Sequence, residues 1–249
     1  MATVAVANQK GGVGKTSLTL NLGWAFAEAG CRVALLDLDP QGHLTAVYAN
    51  QEGSAGLASW LAGQDSALRI VAPRISLLGM ESPAAWPRDA AVIASAIRRF
   101  AESHHDMVLL DCPPSEGLLL HAALEAADAL LIPLHPDYFS LNGLSRFIQA
   151  TQAMAGARPF FLVLNRVSRR RRLDEEVRAR LESYFGPRLL RTGIREAIAI
   201  AESPGFGQSL FQYAPGHAAL LDYRAVAQEL AAALALKLPC EANHLSTPA

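Results

Sequence analysis

The sequence predicts an α/β fold: one doubly wound, mostly parallel sheet with helices on both of its faces. Short apolar runs rich in β-branched residues alternate along the chain with segments of helical periodicity. Such alternation is typical of parallel strands joined by crossover helices. Of the 249 residues, 51% are apolar, and no internal repeat or low-complexity linker divides the chain. We therefore expect residues 1–249 to form one domain, with residues 238–249 as a flexible tail.

The first predicted unit is a strand, a glycine-rich loop, a helix and a second strand. Residues 3–7 form a short β-branched run, and residues 17–29 have the composition of a helix that ends at Gly30. Glycine directly after the last helical residue is a common termination signal. Residues 32–38 are again apolar and lead into a pair of aspartates. This order of elements is how a parallel sheet begins.

The same alternation continues to the end of the chain. Apolar runs bounded by turn residues or prolines predict five more strands, over 75–80, 107–111, 129–134, 159–165 and 189–193. Longer periodic segments predict five more helices, over 90–103, 117–127, 141–155, 173–185 and 218–236. Ligands of doubly wound sheets bind at the carboxyl ends of the strands. We therefore expect a site where the glycine loop, the paired aspartates, Asp111 and Asn165 meet.

Composition and charge exclude several classes of protein. The formal net charge is −1, so binding to nucleic acid would need a local basic patch. Cys31, Cys112 and Cys240 show no CxxC spacing, which argues against a zinc site, a disulfide framework or a shared iron–sulfur cluster. The longest apolar run, 122–134, contains two acids and is too short to cross a membrane. No signal region precedes the first strand, so we expect a cytoplasmic protein.

The glycine-rich loop is the strongest sign of chemistry. Its residues are Gly11, Gly12, Val13, Gly14, Lys15, Thr16 and Ser17. Glycines let backbone amides approach phosphate oxygens, and the N-terminus of the following helix adds partial positive charge. We expect Lys15 to reach the β- and γ-phosphates and Thr16 to bind Mg²⁺. The usual pattern, G-x-x-x-x-G-K-[ST], would require glycine where Gln9 stands, and the alternative is a glycine-rich turn without a ligand.

Lysine is rare in this chain, which makes the loop distinctive. Of the 22 basic residues, 19 are arginine, and the lysines are Lys10, Lys15 and Lys237. Two of these three lysines lie in the glycine-rich loop, which indicates a site that accepts a compact ammonium but not a planar guanidinium. The alternative is that chance or codon bias placed them there.

The loop resembles the deviant Walker A motif of the ParA/MinD family of P-loop ATPases, because Lys10 precedes the glycines. Two further segments match that family in order and spacing: Asp-Leu-Asp-Pro-Gln-Gly at 37–42 and Asp-Cys-Pro-Pro-Ser at 111–115, with a partial match at 201–207. The resemblance spans most of the chain and is to the short ParA-type partition and positioning ATPases. It implies a P-loop NTPase fold, ATP and Mg²⁺ as cofactors, and an ATP-dependent homodimer.

The resemblance also implies roles for the first lysine and the carboxylates. Lys10 would act on the partner subunit's ATP, the alternative being contact with phosphates bound to its own chain. Asp39 would position or activate the attacking water. Asp37 and Asp111, together with Thr16, would hold Mg²⁺ and its waters. An aspartate at a strand end is also a common cap of a turn or helix, which is the alternative for each.

Two switch segments and the base contacts follow from the same resemblance. Segments 40–45 and 113–117 would sense the γ-phosphate, with His43 where the family often has asparagine. Asn165 and Arg195 would contact adenine, and a surface salt bridge is an equal alternative for Arg195.

A basic segment from 166 to 195 is the candidate DNA surface. It holds ten arginines against four acids, a local excess of six. The predicted phosphate contacts are Arg169, Arg170, Arg171, Arg172 and Arg224. Such contacts would give sequence-independent, salt-dependent binding, and the alternative is a solvated helix face. Gln208 stands where many DNA-binding relatives carry lysine.

The favoured hypothesis is a ParA-type ATPase with slow turnover. Its ATP dimer would bind nucleoid DNA non-specifically and partition or position a plasmid, a chromosome region or a protein assembly such as carboxysomes. A ParB-like protein or a cargo adaptor would activate it. The alternative is a MinD-like positioning ATPase that acts on a membrane or a protein partner without DNA. A membrane role is disfavoured, because the C-terminal segment has Lys237 as its lone cation and lacks a basic amphipathic helix.

Overall fold

The protein, seen in a computed structural model, is described over residues 1–49, 56–62, 68–81, 86–103, 105–156, 158–168 and 171–239. Within these residues, eight strands form one sheet. They are β1 (Ala2–Val6), β2 (Val33–Asp37), β3 (Arg69–Ala72), β4 (Ile75–Leu78), β5 (Met107–Asp111), β6 (Ala129–Leu134), β7 (Phe160–Val167) and β8 (Ile194–Arg195). Their order is β3-β4-β2-β5-β1-β6-β7-β8, and every neighbouring pair is parallel except β3 with β4. The predicted, mostly parallel sheet is confirmed.

Helices cover both faces of this sheet, as predicted. The helices of the described residues are α1 (Lys15–Glu28), α2 (His43–Val47), α3 (Leu57–Leu61), α4 (Ala90–Glu102), α5 (Leu118–Ala126), α6 (Tyr138–Ala155), α7 (Arg172–Phe185), α8 (Ile198–Glu202), α9 (Leu210–Tyr213) and α10 (Ala219–Ala233). Residues of β1 alternate between two core layers. Val4 and Val6 pack in the layer that contains α1 and α10, and Ala5 packs in the layer that contains α4, α5, α6 and α7.

The connections bring the predicted site residues to one edge of the sheet. Asp37 of β2 and Asp111 of β5 are register partners, and Val6 of β1 is paired with Asp111 on the other side. The glycine loop leaves β1 at this level, and Asn165 lies near the carboxyl end of β7. The sheet therefore gathers these groups at the carboxyl ends of neighbouring strands, where doubly wound folds bind ligands.

The strand predicted over 189–193 is displaced. Leu189 forms only an isolated bridge to Leu162, and the last strand is β8, which begins at Ile194. The backbone N–H groups of Arg191 and Thr192 donate to the carboxylate of Glu229 in α10 instead of to a strand. The side chain of Glu229, 37 or 38 residues away in sequence, therefore occupies two backbone N–H groups that a strand at this position would use for pairing.

Several short elements were not predicted. The edge strand β3 and helices α2, α3, α8 and α9 have four or five residues each, which is too few to show a hydrophobic period. Leu238, where the predicted tail begins, is buried, and residues 240–249 lie outside the described residues. Across the described part of the chain, no helix is both long enough and apolar enough to cross a membrane.

Candidate nucleotide site

The glycine loop joins β1 to α1. Gly12 and Gly14 have φ angles of 73° and 88°, in the left-handed region that favours glycine. A Cβ at Gly14 would also stand 2.3 Å from Nδ2 of Asn165, so this position has no room for a side chain. The N-cap residue of α1, Gly14, has no side chain with which to cap the first turn of the helix. The amides of the loop and of that turn are therefore available to an anion such as a phosphate.

Lys15, the first residue of α1, places a buried ammonium next to this loop. The residue is only 7% exposed, and burial lowers its pKa, while the nearby carboxylates of Asp111 and Asp39 act in the opposite direction. No ion pair of Lys15 is found among the described residues. A partly desolvated cation of this kind is stabilised by an anion placed beside it.

Thr16 and Asp111 form the group that fits a magnesium ion. The hydroxyl of Thr16 donates to Oδ2 of Asp111 over 2.7 Å. Asp111 is fully buried, and its Oδ1 has no hydrogen-bond partner among the described residues. Burial, reinforced by the negative charge of Asp37, raises the pKa of Asp111 to about 8. An orphan carboxylate oxygen beside a threonine hydroxyl is the kind of oxygen donor set that Mg²⁺ takes, usually with several retained waters.

Asp37 is engaged by the first switch segment. Its Oδ2 accepts from the backbone N–H of Thr45 at 2.8 Å and from the Thr45 hydroxyl at 2.7 Å. Its Oδ1 accepts from the N–H of Asp39 at 3.1 Å. Helix α2 begins after Gly42 without a cap from that residue, so Asp37 caps it from the end of β2. Burial raises the pKa of Asp37, and these hydrogen bonds act against the rise. The capping alternative therefore describes what Asp37 does here, and its metal role stays a prediction.

Asp39 and Thr45 extend this network through the switch. Asp39 is 7% exposed, and its Oδ1 accepts from the N–H of Gln41 at 3.0 Å. The Thr45 hydroxyl also accepts from the N–H of Met80, just beyond β4, at 2.7 Å. His43 is exposed at the start of α2. Segment 40–45 is thus tied both to the strand that carries the aspartates and to the strand beside it.

The second switch segment is linked to the start of the phosphate loop. Nε2 of Gln9 donates to Oε1 of Glu116 over 2.7 Å, and both residues are exposed. The residue that replaces the usual first glycine therefore contacts segment 113–117. Sequence reasoning did not assign a role to either side chain.

Lys10 is held by its own chain. Its Nζ lies 2.8 Å from Oδ2 of Asp137, and the two side chains are 44% and 31% exposed. Asp137 follows β6 and stands directly before α6. His135 lies two residues earlier, with a buried Nε2 that has no hydrogen-bond partner among the described residues. Burial lowers the pKa of His135, and the charges of Arg166 and Lys10 lower it further. Neither Asp137 nor His135 was predicted, because only the fold brings them next to residue 10.

A cavity of about 320 Å³ adjoins the phosphate loop on the side of β7 and β8. It is lined by Gly14, Ser17, Asn165, Arg166, Arg195, Glu196, Ala197, Ile198, Ile200 and Ala201. The predicted base contacts, Asn165 and Arg195, are therefore both present. The Asn165 side chain is nevertheless engaged, since Nδ2 donates to the carbonyl of Val13 at 2.8 Å and Oδ1 accepts from the N–H of Arg166 at 3.0 Å. Arg195 makes a two-pronged ion pair with Asp222, at 2.6 and 2.7 Å.

Of the five arginines predicted to contact DNA, two lie outside the described residues and two are held in ion pairs. Arg169 and Arg170 lie outside the described residues. Arg171 is paired with Glu196, and Arg224 is paired with Glu28 at 2.5 and 2.8 Å. Arg172 is exposed at the start of α7, with no ion pair in the part of the chain that the structure describes. Acids distant in sequence thus neutralise part of the basic excess.

Comparisons with known proteins agree with this arrangement. The AAA domain family matches residues 1–159. The chain is 31% identical to the chromosome-partitioning ATPase Soj of Thermus thermophilus, over 92% of this chain and 95% of the relative. It is 32% identical to the chromosome partitioning protein ParA of Caulobacter vibrioides, over 86% and 87%.

The fold is also that of a solved structure. The septum site-determining protein MinD of Pyrococcus horikoshii, solved in complex with Mg-ADP, is similar with a TM-score of 0.77 at 22% identity, over 92% of this chain and 95% of that one. The matched length, the identity to Soj and ParA and the shared fold lead to one conclusion: the chain belongs to the ParA/MinD family of P-loop ATPases.

Proposed function

We propose that this chain binds ATP with Mg²⁺, hydrolyses it slowly, and uses the ATP-bound state to form a homodimer that partitions or positions a cargo. The observation that supports it most directly is the group formed by Lys15, Thr16 and Asp111. It combines a buried ammonium, a hydroxyl and an orphan carboxylate oxygen beside open backbone amides. The negative phosphates would be stabilised by the ammonium of Lys15, and a divalent cation would be stabilised by the phosphates and by the carboxylate of Asp111.

Each of these residues has a distinct task in binding. The amides of the glycine loop and Lys15 bind phosphate oxygens. The negative phosphates stabilise the charged form of Lys15, which burial disfavours. Thr16 and Asp111 hold Mg²⁺, which when bound neutralises charge on the phosphates and orients them. The cation also favours the ionised form of Asp111, whose pKa is raised to about 8 without it.

Asp39 is the candidate for positioning water. It is nearly buried, lies at the carboxyl edge of the sheet, and is held by the N–H of Gln41. Its negative charge acts to raise the pKa of the Lys15 ammonium, against the effect of burial. A carboxylate fixed in this way accepts a hydrogen bond from a water molecule and orients it for attack.

Lys10 couples dimerisation to the nucleotide. In the single chain its ammonium is paired with Asp137. In the ATP dimer it leaves that carboxylate and contacts the partner's nucleotide, where a second cation stabilises the charge of the transition state. The two switch segments, which are hydrogen-bonded to Asp37 and to Gln9, transmit the presence of the γ-phosphate to the dimer surface.

We propose that the ATP dimer positions its cargo by binding nucleoid DNA non-specifically inside the cytoplasm. Exposed arginines such as Arg172 support this, and a dimer doubles the number of such contacts. A ParB-like protein or a cargo adaptor is the expected activator. A second candidate, a positioning ATPase that acts without DNA, is favoured by the ion pairs of Arg171 and Arg224 and by Gln208 in place of lysine.

Binding of ATP is tested by Lys15→Ala, with Lys237→Ala as the matched control. Isothermal titration should show loss of nucleotide binding for the first variant and wild-type affinity for the second, because Lys237 is exposed and lies after α10. Tight ATP binding by Lys15→Ala would contradict the assignment of the site.

Dimerisation and DNA binding need separate tests. Lys10→Ala should keep ATP binding but lose the ATP-dependent dimer in analytical ultracentrifugation, and a persistent dimer would show that Lys10 acts on its own chain. Retention of DNA should require ATP, fail with ADP, and fall steeply as salt rises. Absence of ATP-dependent retention at low salt would favour the candidate function without DNA.

A further inference from the structure

Helix α9 contributes one ring to each of two stacked aromatic pairs. Phe211 stacks on Trp24 of α1, with ring centroids 6.4 Å apart and an angle of 21° between the ring planes. Tyr213 stacks on Phe206, with centroids 5.1 Å apart and an angle of 25°. Residues two positions apart in a helix do not face each other, so the two pairs lie on different sides of α9.

The first pair is completed by a cation and an anion of the same chain. The guanidinium carbon of Arg224 lies 5.6 Å from the centroid of the Phe211 ring, within the range of a cation–π contact. The same guanidinium is paired with Glu28 at 2.5 and 2.8 Å. Two rings, an arginine and a carboxylate thus form one closed group on this side of α9.

The second pair has the rings and the carboxylate but lacks the arginine. The hydroxyl of Tyr213 donates to Oε2 of Glu202 over 3.2 Å. Among the residues that the structure describes, Glu202 has no ion pair, and no cation lies over the ring of Phe206 or Tyr213. Glu202 is exposed, and Phe206 is 67% exposed. A carboxylate beside the open faces of two rings is a site suited to a cation.

The surroundings of this second pair are apolar. Ile198 lies one turn before Glu202 in α8 and is 77% exposed. Single exposed apolar side chains are common, whereas adjoining ones mark contact sites. The carboxylate of Glu202 repels phosphate groups, so this surface fits a cationic protein segment and does not fit DNA or an anionic membrane.

The same surface is packed against the first switch segment. Phe206 ends a short 3-10 helix, Ser203–Phe206, and Gly207 follows with φ of 70°. A Cβ at Gly207 would stand 3.1 Å from the carbonyl oxygen of Val47, so this turn lies close against α2. Helix α2 is in turn capped by Asp37. A partner on Phe206 would therefore lie next to a segment that is tied to the strand-end carboxylates.

We propose that Phe206, Tyr213 and Glu202 form a docking site for a protein partner that supplies an arginine from a segment with apolar neighbours. The guanidinium stacks on the rings and pairs with the carboxylate, in the arrangement that Arg224 completes on the other side of α9. The apolar neighbours of that arginine pack on Ile198. The site needs no bound nucleotide, so it is independent of the proposed function.

The probe is a short peptide in which arginine alternates with leucine, and a peptide with glutamate in place of arginine is its control. Fluorescence anisotropy of the labelled peptides should show saturable binding of the basic peptide and weaker binding of the acidic one. Phe206→Ser should raise the dissociation constant of the basic peptide by about 5-fold or more, as expected of an aromatic anchor. Glu202→Gln should raise it by up to about 5-fold, the range of an exposed ion pair.

Two further variants make the result decisive. Glu202→Lys should reverse the order of the two peptides, which neither misfolding nor a general affinity for leucine would do. Tyr184→Ser is the matched control for Phe206→Ser, because Tyr184 is 72% exposed on α7 and has no stacked ring in the described part of the chain. It should leave both dissociation constants unchanged.

The outcomes that overturn the docking site are distinct. Equal binding of the two peptides, or an unchanged constant for Phe206→Ser, would overturn it. Binding of the wild-type protein to phosphatidylglycerol vesicles that is lost in Phe206→Ser would assign the surface to a membrane instead. Weaker self-association of Phe206→Ser in sedimentation equilibrium would assign it to a second copy of the chain. All of these measurements omit nucleotide, so failure of the wild-type protein to bind ATP would overturn the proposed function alone.

Discussion

The ion pair between Lys10 and Asp137 gives a prediction about dimerisation. If Lys10 serves the partner's nucleotide, each protomer must break a contact of 2.8 Å before the dimer closes. The variant Asp137→Asn removes the negative charge that holds the ammonium. Its ATP-dependent dimer should therefore form more tightly than that of the wild-type protein, while the ADP form should remain monomeric.

The expected gain in dimer stability follows from how far the ion pair of Lys10 and Asp137 is exposed to solvent. The two side chains are 44% and 31% exposed, so solvent screens the interaction. Exposed ion pairs contribute about 0.2–1 kcal/mol each. A symmetric dimer breaks two of them, so the variant should gain about 0.4–2 kcal/mol, equivalent to a dimer dissociation constant lower by about 2- to 30-fold.

Sedimentation equilibrium with a slowly hydrolysed ATP analogue measures this constant. Glu125→Gln is the matched control, because the pair of Arg98 with Glu125 has side chains 43% and 31% exposed and stands near the opposite edge of the sheet. The gain of Asp137→Asn should shrink as salt rises toward about 1 M, where surface charges are screened. An unchanged or weaker dimer would refute the reasoning and show that the pair persists, or is needed, in the dimer.

Three further predictions concern the phosphate loop and the carboxylates. Gly14→Ala should unfold at a lower temperature and lose ATP affinity, because φ of 88° and a Cβ only 2.3 Å from Asn165 Nδ2 exclude a side chain. Gly11→Ala should keep the wild-type melting temperature, since a Cβ there would meet no atom of the described residues within 4 Å. Asp39→Ala should accumulate an ATP-bound dimer in size-exclusion chromatography, and rapid return to monomers would show that water activation lies elsewhere. The pKa of Asp111 is raised to about 8 in the folded chain, so folding takes up a proton between about pH 4 and about pH 8. The free energy of unfolding of the nucleotide-free protein should therefore fall as the pH rises through this range. Asp111→Asn should reduce that slope in melting curves with chelator, and an unchanged slope would contradict the assignment.

Much of the fold could be predicted because hydrophobic periodicity is a local property. The strands over 107–111 and 129–134 have the predicted bounds, since each is an apolar run closed by turn residues or by a charged residue. Helix α1 begins at Lys15, two residues early, because Gly14 adopts the left-handed conformation that starts it there. The strand expected over 189–193 could not be placed, because Glu229 competes for its amides from a distant helix.

The sequence by itself determined the phosphate loop, the strand ends that carry aspartates, and the family, since each depends on neighbouring residues whose order is fixed by the chain. Only the tertiary structure decided how those groups are used. It pairs Lys10 with Asp137, turns Asp37 toward Thr45, and neutralises Arg224 with Glu28. It also places Arg166 at a bulge in the cavity wall. Hydrogen bonds and ion pairs form between groups that packing brings within about 3 Å, and their separation along the chain carries little information about that distance.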